Sequence, residues 1–114
     1  MIASAKLCGW LVAFALTQLV EMTIHARALR DRGRARWALA FAASAMTHPF
    51  VYFAFPLLLL PSTWVYLVVA ESFAVLAEAA WLRKLGVRDA LAWSLVANAS
   101  SVGVAASLRA LGWF

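Results

Sequence analysis

Four apolar runs fill almost the whole of this 114-residue chain, and each is long enough to cross a bilayer as a helix. A hydrocarbon core about 30 Å thick needs roughly 20 apolar residues per helical span. The runs extend from about Leu7 to Ala26, Trp37 to Leu60, Thr63 to Leu82 and Ala90 to Leu111. Three breakers separate them: Arg27 to Arg36, with five arginines and Gly33; the Leu60-Pro61-Ser62 turn; and Arg83 to Asp89, with Gly86. Pro61 lies where a proline suits a helix start, with Ser62 as an alternative cap. Little chain is left over. The expected architecture is an all-α membrane protein, residues 1–114 forming a single transmembrane domain, folded as a four-helix bundle.

Composition excludes the soluble alternative. The chain is 66% hydrophobic and 13% charged, where soluble domains carry about 45–50% and about 25%. A soluble fold of this length has too little interior to hide so much apolar surface. Barrel strands are excluded as well. The runs are continuous rather than alternating, and they are rich in alanine and leucine, which favour helices.

The basic residues orient the spans. Arg27, Arg30, Arg32, Arg34, Arg36, Arg83, Lys84 and Arg88 fall in the first and third loops, and only Lys6 and Arg109 lie on the other side. The positive-inside rule makes the loop side cytoplasmic, so both termini are expected on the non-cytoplasmic side of an inner (plasma) membrane. The same asymmetry accounts for the net charge of +5, so no nucleic-acid partner is expected. Anionic headgroups are the milder alternative. The first run reads as a retained helix. It lacks a clear small-x-small cleavage site, and Glu21 and His25 fall where a signal sequence would stay apolar. Cys8 has no second cysteine to pair with. Trp10, Trp37, Trp64, Trp81, Trp93 and Trp113 mostly fall near span ends and read as headgroup-level anchors.

Against this background, three of the five acids, Glu21, Glu71 and Glu78, lie inside spans, with His48 and Asn98 at similar depths. Each charged side chain at a bilayer centre costs roughly 2.5–3.5 kcal/mol on insertion scales, so it is paired, protonated or used. Helical spacing gives each span one polar stripe. The first holds Leu11, Phe14, Gln18, Glu21 and His25. The second holds Ser44 and His48, with Thr47 beside them. The third holds Glu71 and Glu78, and the fourth Ser94, Asn98 and Ser101, extended by Ala105. Lipid tails satisfy none of these groups, so all four stripes are expected to turn inward. Counting residues gives two layers: His48, Glu71 and Asn98 at the midplane, and Glu21 with Glu78 nearer the cytoplasm. His25 is expected to lie at the interface and reach water.

Thr47-His48-Pro49 adds a predicted break. Pro49 has no N–H and clashes with the carbonyl four residues back, on Ala45, so a kink is expected there, with His48 turned to the carboxylate layer. Ala40, Ala43, Ala97, Ser101 and Ala105 permit close helix contacts.

The candidate proton- or cation-binding residues are therefore Glu21, His48, Glu71, Glu78 and Asn98, supported by Thr47, Ser94 and Ser101. For Asn98, Ser94 and Ser101, interhelical glue is the plainer expectation. Three function classes follow. Proton- or cation-coupled transport is the first, since intramembrane acids and histidines mark ion paths. A compact chain of this kind would act as a homodimer to enclose a path. Its length and first-span glutamate resemble the small multidrug-resistance transporters, but the two acids of the third span depart from that family's single essential one. The second class is an accessory subunit of a larger membrane complex, docked through the basic loop or the small-residue faces. The third is a glutamate/histidine-dependent intramembrane hydrolase. Glutamate-dependent membrane proteases carry an adjacent Glu-Glu pair with a following Arg, which this chain lacks. There is no His-Glu-x-x-His, no Gly-x-Ser-x-Gly and no phosphate-binding glycine loop, so no metal and no cofactor is expected.

Overall fold

The computed structural model describes residues 2–54 and 63–112. They form four long helices: α1 (Ile2–Ala28), α2 (Ala35–Pro49), α3 (Thr63–Lys84) and α4 (Ala90–Ala110). A 3₁₀ turn, Arg30–Arg32, lies between α1 and α2, and there is no strand among the described residues. Gly33 and Gly86 occupy the two arginine-side loops with φ of 60° and 92°. L side chains avoid that region, so each glycine serves where the chain reverses. The predicted turn at Leu60-Pro61-Ser62 lies outside the described residues, as does Trp113.

At Pro49, where a kink is expected, the regular α-helix ends. The chain passes from α2 into a π-helical turn, Phe50–Ala54. A wider turn is one way a chain absorbs the hydrogen bond that proline removes.

α1 packs on α2 and α4, and α3 packs on the same two, so the four helices close a ring. The long axis is 43 Å and the others 25 and 24 Å, against about 40–45 Å for a bilayer with its headgroups. Three stretches are long and apolar enough to cross a membrane: Leu7–Ala28, Val65–Lys84 and Ala90–Ala110. The expected second span runs on to Leu60, beyond the described part of that segment.

Side chains are distributed inside out relative to a soluble bundle. Among the described residues the buried apolar set is eight alanines plus Leu29 and Leu82. Leu19, Val68, Leu76, Leu95 and Val96 point outward. Small residues let helices approach closely where packing, not water exclusion, drives association. Ala40, Ala43 and Ala97 are buried, as their spacing predicts, whereas Ala105 is exposed and Ser101 half-buried.

The arginine-rich end is closed by the loops themselves. The Arg32 guanidinium donates to the Leu85 carbonyl, and the Trp81 indole N–H donates to the Leu39 carbonyl at 3.0 Å, tying α3 to α2. Between the loops lies a cleft of about 240 Å³ lined by Leu29, Arg30, Asp31, Arg32, Arg88 and Asp89 among others. Just inside it, Leu29 and Leu82 pack with Ala26, Ala40 and Ala90 as an apolar plug.

Candidate functional site: a buried carboxyl centre

Inside the plug all four helices contribute to one polar cluster. α1 supplies Glu21 and His25, which are one turn apart and share a face. α2 supplies Ser44 and Thr47, three apart. α3 supplies Glu78, and α4 supplies Ser94 and Asn98, four apart. All seven are buried. The alanines around them allow the backbones close enough for short side chains to meet.

The hydroxyl of Ser44 donates to Glu21 Oε1 at 2.8 Å. The hydroxyl of Thr47 donates to Glu78 Oε2 at 2.9 Å. The Asn98 amide nitrogen donates to Glu78 Oε1 at 3.2 Å and to the Ser94 carbonyl at 2.9 Å. Both partners of that nitrogen are acceptors, which fixes the orientation of the amide. Ser94 Oγ donates to the Val75 carbonyl at 2.7 Å, linking α4 to α3. The Glu21 and Glu78 carboxyl groups belong to this one cluster and interact electrostatically, and Ser101 stands near Glu21. A proton on either carboxyl group would remove the repulsion between them. Without one, two carboxylates in a low-dielectric interior repel.

His25 is the third ionisable group of the centre. Its Nε2 lies 3.5 Å from Glu78 Oε1, and its side chain is 0% exposed. Neither ring nitrogen has a hydrogen-bond partner. A buried polar group left unpaired costs about 1–3 kcal/mol, so a leucine would serve packing better. Gln18, one turn from Glu21 on the other side, repeats the pattern. Its amide nitrogen donates to the Phe41 carbonyl at 3.2 Å, while its buried Oε1 has no partner. Unsatisfied polar atoms thus flank the carboxyl pair on both sides along α1.

The sequence-derived candidates divide. Glu21, Glu78, Asn98, Thr47, Ser94 and Ser101 come together. His48 does not join them. Thr47 and His48 are adjacent, about 100° apart around the helix, and Thr47 takes the inward direction. His48 turns to α1, where its Nδ1 accepts the Trp10 indole N–H at 2.9 Å. Its ring stands edge-on to Phe14 at 5.3 Å and stacks on Tyr52 at 6.2 Å between centroids. Trp10, expected as a headgroup anchor, is a partner inside the protein. Glu71 is half-buried, two turns from Glu78, and takes no part in the hydrogen bonds of the centre. The predicted midplane layer of His48, Glu71 and Asn98 is therefore not a unit, because Asn98 belongs with Glu78. His25, expected at water, is enclosed because the loops and plug extend beyond it. Its place one turn from Glu21 on the same stripe was the signal for it. Leu11 leaves that stripe, being 50% exposed.

Among the described residues, no group of three or more His, Cys, Asp and Glu side chains has a metal-holding arrangement. Comparison with protein-family models, with curated proteins and with solved structures finds no match.

Proposed function

We propose that the chain is a multi-pass protein of the inner membrane whose Glu21–Glu78 pair binds and releases a proton, coupling its movement to transport. The observation that carries this reading is the placing of two buried carboxyl groups in one cluster with, among the described residues, no lysine or arginine paired to them. The contact between ionisable side chains found among the described residues is His25 with Glu78, an ion pair only when the imidazole is protonated. Eight of the ten basic residues stand at the loops, beyond the plug, and Lys6 and Arg109 lie toward the other end. A proton is the counter-charge that remains, and the shell eases its release. Ser44, Thr47 and Asn98 present O–H and N–H groups to the carboxyl oxygens, which favours anionic oxygen and opposes a metal cation in the same place.

In this reading α2 and the segment after it form the fourth span, and the arginine loops face the cytoplasm with both termini opposite. Two copies supply the route for a second solute, since four close-packed helices leave little lumen. The test is proton uptake by proteoliposomes carrying a pH-sensitive dye, under an imposed membrane potential. Uptake by wild type and none by Glu21→Gln/Glu78→Gln supports the assignment. Equal uptake by both ends it. Native mass measurement checks the assembly: a dimer of this chain alone is expected, and stoichiometric recovery with a larger protein would make it a subunit instead.

A further inference from the structure

We infer that His25 carries the proton between the Glu21–Glu78 pair and the loop cleft, and that Leu29 and Leu82 form the barrier it crosses. The inference rests on the proposed proton site and assigns its route.

Three observations converge on His25. Its Nε2 is 3.5 Å from Glu78 Oε1, one small rearrangement from a hydrogen bond. Both ring nitrogens are buried and unpartnered, whereas a structural histidine fixes at least one, as His48 does with Trp10. His25 also precedes, by one turn of α1, a residue that lines the cleft. The Leu29 N–H donates to the His25 carbonyl at 2.9 Å, so one helical turn separates the imidazole from a residue that lines the opening. Leu29 and Leu82 are the large buried apolar side chains of the described chain, and both sit in that one turn of depth. Elsewhere the interior is packed with alanine, so bulk is concentrated where the polar centre would otherwise meet water.

The transfer balances simply. Glu78 gives its proton to His25 Nε2, leaving a carboxylate that the Thr47 hydroxyl and Asn98 amide already face. The imidazolium releases the proton on Nδ1 to water that reaches it past Leu29 and Leu82, and the ring regains its first tautomer by rotating or by the reverse sequence. Imidazole suits this task because one nitrogen accepts while the other donates. The group against His25 is Glu78 from α3, which Thr47 from α2 and Asn98 from α4 hold in turn; Glu21, held by Ser44, lies one turn away on the same helix. Apart from His25 itself, only the two glutamates titrate. At the cleft the released proton meets both Arg30, Arg32 and Arg88 and the carboxylates of Asp31 and Asp89, which pass it to bulk water.

The experiment follows the protonated-carboxyl infrared band of the reconstituted protein after a pH jump, beside the dye assay. In His25→Gln the band keeps its size, while its rate of change and the proton flux fall about ten-fold or more, the low end of what a positioned proton carrier supplies. Adding Leu29→Ser to that variant admits water past the plug and restores the rate. Flux and band kinetics unchanged in His25→Gln would overturn the inference while leaving the carboxyl pair in place. Loss of both only in the glutamate double variant would mean the same. Full flux in that double variant would instead remove the proton site. Nitrogen-15 spectra of wild type keep the question open to refutation if His25→Gln fails to fold. The His25 ring is expected to change protonation or tautomer together with the carboxyl band, and a ring locked in one tautomer throughout would overturn the route.

Discussion

The two histidines of this chain sit in opposite kinds of surroundings. His48 stands among Trp10, Phe14 and Tyr52 with a ring nitrogen hydrogen-bonded. His25 stands among carboxyl, hydroxyl and amide groups with both nitrogens free. The better partnered histidine is the less interesting one. The aromatic group around His48 fixes the ring and joins α1 to the end of α2, which is a packing task. The polar centre around His25 leaves capacity unused at a depth where unused capacity is expensive. Polar residues in a membrane interior are therefore better sorted by what they leave unpaired than by residue type.

The sharpest break between the regions comes from Glu78, which touches Thr47, Asn98 and His25. Glu78→Gln keeps the size and most hydrogen bonds but removes the exchangeable carboxyl proton. Proton flux is expected to fall at least about 100-fold, within the range for losing a positioned acid or base. His48→Phe keeps the ring and should leave flux within about two-fold, since no proton passes through it. Equal losses in the two variants, read in the same liposome assay, would erase the distinction between the regions.

Thr47→Val sharpens it energetically. The change is close to isosteric and removes one buried donor to Glu78 Oε2. Interhelical hydrogen bonds in membranes average about 0.6 kcal/mol, with a maximum near 1.7. This one should lie toward the upper end, because its acceptor is a buried carboxyl oxygen for which Thr47 is the donor found. Unfolding in mixed detergent, with Glu78→Gln as the second arm of a double-mutant cycle, measures it. The same cycle on Trp10→Phe and His48→Phe should return a coupling near the 0.6 kcal/mol average. A larger coupling there would make the aromatic group the main brace of the bundle.

Much of the helical architecture was legible in the sequence, and the reasons are physical. A run of about 20 apolar residues has few ways to satisfy its backbone in lipid other than a helix. The loops at Gly33 and Gly86 fall inside the predicted breakers. The shared face of Ser94 and Asn98 follows from a spacing of four. The choice between Thr47 and His48 was not legible. Both lie within one helical step of the Ser44 face, and which turns inward depends on whether α1 offers an aromatic pocket or a carboxyl group at that level. Trp10 decides it, 38 positions away. The enclosure of His25 was equally hidden, since it depends on two loops meeting across the bundle end through Arg32 and Leu85. Periodicity within a span ranks the faces of one helix but carries no information about the rotation of its neighbours.

The smallest expected effect lies at Gly9, in the same aromatic region. A Cβ built there would come within 2.9 Å of the Tyr52 hydroxyl oxygen, closer than carbon and oxygen rest without bonding. Alanine otherwise favours a helix over glycine by about 1 kcal/mol. Crowding of this kind typically costs 1–3 kcal/mol, less when a side-chain tip can swing aside. The two nearly cancel, so Gly9→Ala should change stability by less than about 1 kcal/mol in either direction. Tyr52→Phe removes the obstructing oxygen. Gly9→Ala in that background should then show the helix gain alone, and the difference between the two backgrounds isolates the contact. If alanine has the same effect whether or not the hydroxyl is present, α1 and the end of α2 do not approach at Gly9. The packing that holds His48 away from the carboxyl centre would then have to be sought further along α1, at Phe14 and Phe41, whose rings meet edge-on at 5.7 Å.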